Sequence, residues 1–297
     1  MRGVVNFYKP LGMSSNTAVG RVKKILGAKK CGHTGTLDPK AEGVLPILLD
    51  KCTCLSEMLM EGSKEYLATL HLGHTTTTLD SEGEDITLLP REEISVTRED
   101  VEEVIKTFVG EIDQIPPMFS ALSQNGVRLY RLAREGVEVE RKPRRITIYS
   151  IALEDFDDTE YFVKIRVSCS KGTYIRTLAD DIGAKLGCGA MLSHLARTKT
   201  GMFSSENAVT VEELENRGQA CITPIEDCLS QYDEICPVEF FHTLLVNGQK
   251  VLLSKLKCDF EVGSYVRLLD KEGDLTGLAL ISETEEGKKL ISLEKRL

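Results

Sequence analysis

Hydrophobic and polar positions along this chain repeat with two different periods, the two-residue alternation of strands and the wider spacing of helices. Tyr66, Ala68, Leu70 and Leu72 share one face of a predicted strand, and Val163, Ile165, Val167 and Cys169 one face of another. The apolar run Val44-Leu45-Pro46-Ile47-Leu48-Leu49 has the length of a buried strand, and residues 1–10 read as an opening strand. After the capping residues Ser14-Ser15-Asn16, apolar Ala18, Val22, Ile25 and Leu26 recur at helical spacing and stop at Gly27. Leu55, Met58 and Leu59 mark a second helix. Thr97 with Asp100 three residues on is a variant capping box for a helix whose stripe is Val101, Val104, Ile105 and Phe108, ended by Gly110. The turn Ser170-Lys171-Gly172-Thr173 feeds another helix, with Ile175, Leu178, Ala179, Ile182 and Leu186 facing inward. Residues 74–95 are polar and acidic and predict loops. Strands and helices interleave without a regular repeat, which predicts an α+β mixed sheet rather than a doubly wound one. Pro237 marks a change of character. Beyond it, short strands such as Tyr265–Leu269 and Leu275–Ile281 predict a small β-domain. The expected division is residues 1–236 and 237–297.

Composition narrows the functional classes. No apolar run approaches the roughly 18 residues of a membrane span, and the N-terminal apolar stretch is too short for a secretory signal. The nine cysteines run from Cys31 to Cys258 without a tight framework, so free thiols in a reducing cytoplasm are expected. Cys31-Gly32-His33 and Cys52-Thr53-Cys54 have single-residue spacers, unlike the longer spacers of structural zinc sites, and no metal is expected there. The net charge of −9 argues at first against a nucleic-acid partner. Its distribution changes the picture. Residues 1–79 hold 10 basic and 6 acidic side chains and residues 105–200 hold 15 and 12, while 80–104 hold 2 and 10, and 201–297 hold 10 and 18. Arg21, Lys23, Lys24, Lys29 and Lys30 give the first helix a basic face.

The segment with the most chemistry is Gly32-His33-Thr34-Gly35-Thr36-Leu37-Asp38-Pro39-Lys40-Ala41-Glu42-Gly43. Its glycines permit tight geometry, and Asp38 precedes a proline that biases it to an extended conformation. A carboxylate on a stiff loop is either a nucleophile or an Asp-Pro turn bonded to its own backbone. The Gly-Lys-Ser/Thr ending of a phosphate-binding loop is missing.

Lys9-Pro10-Leu11-Gly12-Met13-Ser14-Ser15 followed by Gly32–Pro39 resembles the TruB family of bacterial tRNA pseudouridine-55 synthases. The likeness continues through Lys64-Glu65-Tyr66, Pro116–Leu122, Arg128-Leu129-Tyr130 with Ala133–Gly136, Gly172–Arg176 and Leu192–Thr198, in the family's order. It implies a pseudouridine-synthase-type mixed-sheet catalytic domain with flanking helices and a small C-terminal PUA-like domain. It also implies an isomerisation of a T-loop uridine, N1–C1′ exchanged for C5–C1′, without cofactor or metal.

By resemblance Asp38 is the catalytic aspartate, Arg176 its partner, and Tyr66 the residue against the base that helps remove the C5 proton. Tyr174 and Leu195 line the uridine pocket, and His33 fills the gap left by the flipped base. On pattern alone Tyr66 and Leu195 are ordinary core positions, and His33 caps its own glycine turn. Lys9, Arg128, Arg131, Arg144 and Arg145 are expected to contact RNA phosphates. Four of these five lie in an insertion at about residues 115–150 that also carries Arg134, Arg141 and Lys142 against Glu135, Glu138 and Glu140. The partner implied is the T-arm of tRNA, bound by a monomer. Three rivals remain. A guide-RNA-dependent synthase would bring a lysine-rich tail and a longer C-terminal domain, a non-catalytic tRNA-folding factor would need no nucleophile, and a glycosidase would need a second carboxylate, for which Glu42 is nearest.

Overall fold

The computed structural model describes residues 1–120, 122–124 and 126–297; Ala121, within the Pro116–Leu122 block, lies outside the described residues. A ten-stranded mixed sheet dominates. Its main order runs Ile222–Pro224, Gly3–Lys9, Ala41–Leu49, Ala190–Thr200, Lys64–Leu72, Phe162–Cys169, Arg144–Asp157 and Gly110–Gln114. Ala41–Leu49 and Ala190–Thr200 run parallel, with Leu195 beside Ala41 and Arg197 beside Gly43. On its other edge Ala190–Thr200 pairs antiparallel with Lys64–Leu72, placing Arg197 opposite Tyr66. The parallel contact is the topological event that brings the 32–43 loop to the centre of the sheet. Close approach is required there: Gly43 has φ +107°, and a Cβ on it would meet the Arg197 carbonyl oxygen at 2.2 Å.

The predicted elements form for the predicted reasons. Ser14 caps Ser15–Leu26 by accepting from Thr17 N–H, and Gly27 ends it at φ 67°. Thr97 and Asp100 complete the capping box of Arg98–Lys106, worth about 1 kcal/mol. Residues 74–95 depart from expectation. His74–Thr76 and Asp85–Leu88 pair as a small hairpin, because the backbone groups of a polar segment still need partners.

A second sheet has five strands, Glu234–Ile235, Tyr265–Leu269, Leu275–Glu283, Lys289–Arg296 and Val251–Leu252. Glu234–Ile235 precedes Pro237 yet pairs with Tyr265–Leu269, so hydrogen bonding crosses the division drawn at 236/237. A shared apolar layer joins the sheets, with Val4, Val44, Leu48 and Leu55 packed with Ile225, Leu229, Leu275 and Leu278.

The helix Ile175–Leu186 covers the sheet with Ile175, Leu178, Ala179 and Ile182. It also carries a strained acid: desolvation and the neighbouring Asp180 push Asp181 up to about 6. A carboxyl raised in the folded state holds its proton there when the unfolded chain has lost it. Its contribution to stability is therefore full below about pH 4 and lost as pH rises through 6. Asp181→Asn is expected to raise Tm at pH 7.5 by roughly 2–4 °C, about 1 kcal/mol, and to leave it unchanged near pH 4. A thermal melt at both pH values checks this, and an equal gain at both would contradict the titration argument.

Candidate active site

Asp38 is presented by a loop tied down at several points. Ser15 Oγ donates to Leu37 O and accepts from Leu37 N–H, both at 2.8 Å. Gly12 N–H donates to Pro39 O at 2.8 Å, and Ala41 N–H to Asp38 O at 3.0 Å. The apolar Leu37 side chain is buried, so its neighbour points outward. The Asp38 carboxylate is 43% exposed and lines a cleft of about 270 Å³ with Tyr66, Tyr174, Arg176, Leu195 and Arg197.

Arg176, near the start of its helix, is 8% exposed and lies between two carboxylates, 3.1 Å from Asp38 and 3.2 Å from Asp80. The same guanidinium donates to Phe119 O at 2.8 Å and Thr78 O at 3.3 Å. Four acceptors fix a planar fork in one orientation. Asp80 was not singled out by sequence. It sits in the segment read as loop, and its only local signal is the turn it makes, accepting from Thr78 Oγ1 at 2.6 Å and from Glu82 N–H at 3.0 Å.

Tyr66 is buried, and burial raises its phenol pKa, with Arg197 acting in the opposite direction. Tyr174 caps the Arg176 helix and is held by Gln114, which accepts from its N–H at 2.8 Å and donates to its C=O at 3.1 Å. Burial raises the Tyr174 phenol as well. Leu195 is buried and faces the cleft. Ser120 also lines it. Its buried hydroxyl, near enough to Tyr174 to bear on that phenol, completes no well-formed hydrogen bond among the described residues. Lys64 is buried, and desolvation lowers its pKa to about 8 while its ammonium donates to Met60 O at 2.5 Å and Gly62 O at 2.6 Å.

The structure therefore gathers Asp38, Tyr66, Arg176, Tyr174 and Leu195, and separates others. His33 does not line this cleft. Its Nδ1 accepts from Gly35 N–H at 3.2 Å, the glycine-turn cap that pattern alone suggests. Burial and the Arg197 charge lower its pKa, which favours the neutral ring. Lys9 requires a correction. Expected on RNA, it is 0% exposed and its ammonium donates to Pro10 O at 3.1 Å and Met13 O at 2.7 Å. A fully buried ammonium does not reach a phosphate, so Lys9 instead ties its strand to the following turn. Arg145 is exposed but already engaged by Asp113 at 2.9 Å and Glu111 at 3.2 Å across the sheet edge. Arg128, Arg131 and Arg144 are exposed. The Arg144 charge also bears on Tyr174 at the cleft. Glu42, the nearest second carboxylate, is held by His194 at 3.1 Å and hydrogen-bonds Tyr8, and it does not line the cleft.

Comparison with known proteins shows the chain's relatives. Residues 23–175 match the TruB family pseudouridylate synthase (N terminal domain), and residues 176–230 match the tRNA pseudouridylate synthase B C-terminal domain. The chain is 45% identical over 294 residues to tRNA pseudouridine synthase B of Clostridium acetobutylicum, covering 99% of each. It is 46% identical over 295 residues to that of Clostridium tetani, again 99% of each. That of Methylobacillus flagellatus is 44% identical over 280 residues, covering 93% of this chain and 90% of the relative. A crystal structure of a Cbf5-Nop10-Gar1 complex superposes with TM-score 0.75 at 28% identity, covering 99% of this chain and 84% of the other.

Proposed function

Because this chain belongs to the TruB family of pseudouridylate synthases, we propose that it converts uridine-55 in the T-loop of tRNA to pseudouridine, with Asp38 as nucleophile. The observation that carries this reading is the Asp38 carboxylate at the mouth of a cleft, oriented by an Arg176 fork that is itself fixed by Asp80 and two carbonyls. The cleft is sized for one flipped nucleotide rather than a duplex, so the target base leaves its stack at a cost of a few kcal/mol. Tyr66 and Leu195 bracket the uracil, while the Tyr174 and Ser120 hydroxyls supply polar contacts.

A covalent bond to Asp38 divides the exchange into two steps. In this scheme the Asp38 carboxylate bonds C1′ as N1–C1′ breaks, the freed base turns, and C5 bonds C1′ as the Asp38–C1′ bond breaks. The C5 proton then leaves toward the Tyr66 oxygen as C5=C6 is restored, and N1 takes up a proton. Atoms and electrons balance within the nucleotide, so no redox partner enters. Arg128, Arg131 and Arg144 would meet phosphates of the T-arm, with affinity falling as salt rises. We place the enzyme in the cytoplasm as a monomer, with tRNA as its partner.

The test is tritium release from a T-arm RNA labelled at uridine C5. Stoichiometric release with pseudouridine at the target position is the expected result, since carbon–carbon bond formation must eject that hydrogen. Tight binding without release would replace this reading with that of a tRNA-folding factor.

A further inference from the structure

Among the described residues Arg197 is the largest fully buried side chain, 1% exposed, and it forms no ion pair with a carboxylate. Buried charges are ordinarily paired, so a buried guanidinium that lines a cleft without an ion pair among the described residues calls for a purpose. Its Nε donates to Val44 O at 2.8 Å and one terminal nitrogen to Gly35 O at 3.1 Å, which holds it against the Asp38 loop. Its backbone is clamped against Gly43, where no larger residue fits. Across the sheet it stands opposite Tyr66, and both side chains line the cleft.

We propose that Arg197 is a positioning residue that sets the proton affinity of the Tyr66 phenol and so readies it to receive the C5 proton. This rests on the reading of Tyr66 as the proton acceptor. A guanidinium keeps its positive charge and only donates hydrogen bonds, so lining the same cleft opposite Tyr66 it favours the phenolate over the neutral phenol. Burial works the other way, with Cys169 and Asp38 adding to it, and Lys64 and Arg176 line the same cleft. In the step itself the phenol has lost its own proton to solvent. The phenolate oxygen then takes the C5 proton, the C5–H electron pair re-forms C5=C6, the C6–N1 pair moves to N1, which takes up a proton, and the neutral phenol is left.

The full-length protein is compared with Arg197→Met, Arg197→Gln and Arg197→Lys. Single-turnover tritium release from T-arm RNA is followed against pH. Tyr66 ionisation is read separately as the ultraviolet phenolate difference against Tyr66→Phe, which is unobscured because the chain has no tryptophan. In Arg197→Met the Tyr66 titration and the rising limb of the rate profile are both expected to move up by about one pH unit or more. RNA affinity should stay within a few-fold, and Arg197→Lys should recover part of the shift. Arg197→Gln, uncharged but able to bond a carbonyl, gives the same answer should Arg197→Met not fold. A rate loss equal at every pH with Tyr66 titration unmoved would overturn the proposal. Full activity in Tyr66→Phe would instead remove Tyr66 as acceptor, and the ultraviolet titration would still decide whether Arg197 controls that phenol.

Discussion

Replacing Asp38 with asparagine is expected to lower single-turnover tritium release by about 10⁴-fold or more while leaving T-arm RNA affinity within a few-fold. The substitution keeps size and shape, and the loop does not depend on the carboxylate. Leu37 is held by Ser15, Pro39 O by Gly12, and the Asp38 carbonyl by Ala41. An amide is a poor nucleophile, so covalent catalysis is what the change removes. The ion pair with Arg176 is lost too, but Asp38 is 43% exposed, so that pair stabilises the fold by under about 1 kcal/mol. Binding without release would therefore isolate the chemical role. Undiminished release from Asp38→Asn would leave the reaction standing and the nucleophile misassigned.

Arg176→Lys is expected to slow turnover by about 10²-fold or more, although it keeps the charge. A single ammonium does not reproduce a fork that meets Asp38, Asp80, Phe119 O and Thr78 O together. The loss is one of orientation, so it falls on the chemical step more than on RNA affinity. Arg176→Met goes further. It strands Asp80, whose side chain is only 7% exposed, and removing one partner of such a buried pair costs about 3–5 kcal/mol. Adding Asp80→Asn to Arg176→Met should return much of that stability without returning activity. Urea melts and tritium release on the three variants separate the two effects. Recovery of both together would make Arg176 a purely structural residue.

Much of the fold was legible because local rules act over few residues. The capping box at Thr97 and Asp100, the stop at Gly27 and the alternation from Tyr66 to Leu72 each formed as read. The hairpin within 74–95 was not legible. The alternation Asp85-Ile86-Thr87-Leu88 spans only four residues and leaves Ile86 and Leu88 exposed, and what pairs it with the polar His74–Thr76 is backbone hydrogen bonding, which leaves little trace in side-chain pattern. Lys9 misled for a related reason. A lysine in a basic region reads as a surface cation, and nothing nearby in the chain says that the carbonyls of Pro10 and Met13 will close over it.

The catalytic candidates divide the same way. Asp38 stood out by itself, since a carboxylate before proline in a glycine-bracketed loop is a local feature. Arg176, Tyr66 and Leu195 were legible through resemblance. Asp80, Gln114 and Arg197 were not singled out, because what each does depends on partners far away in the chain. Asp80 meets Arg176, Gln114 meets Tyr174, and Arg197 meets Gly35, Val44 and Tyr66. Spacing along the chain, then, was enough to determine where the core strands and helices and the reactive loop lie, since propensity, capping and alternation are settled within a few residues. Which charge faces which carboxylate was decided only when the parallel pairing of Ala41–Leu49 with Ala190–Thr200 brought distant segments into register. Desolvation and hydrogen-bond geometry act across space, and they exist only once the sheet has closed around them.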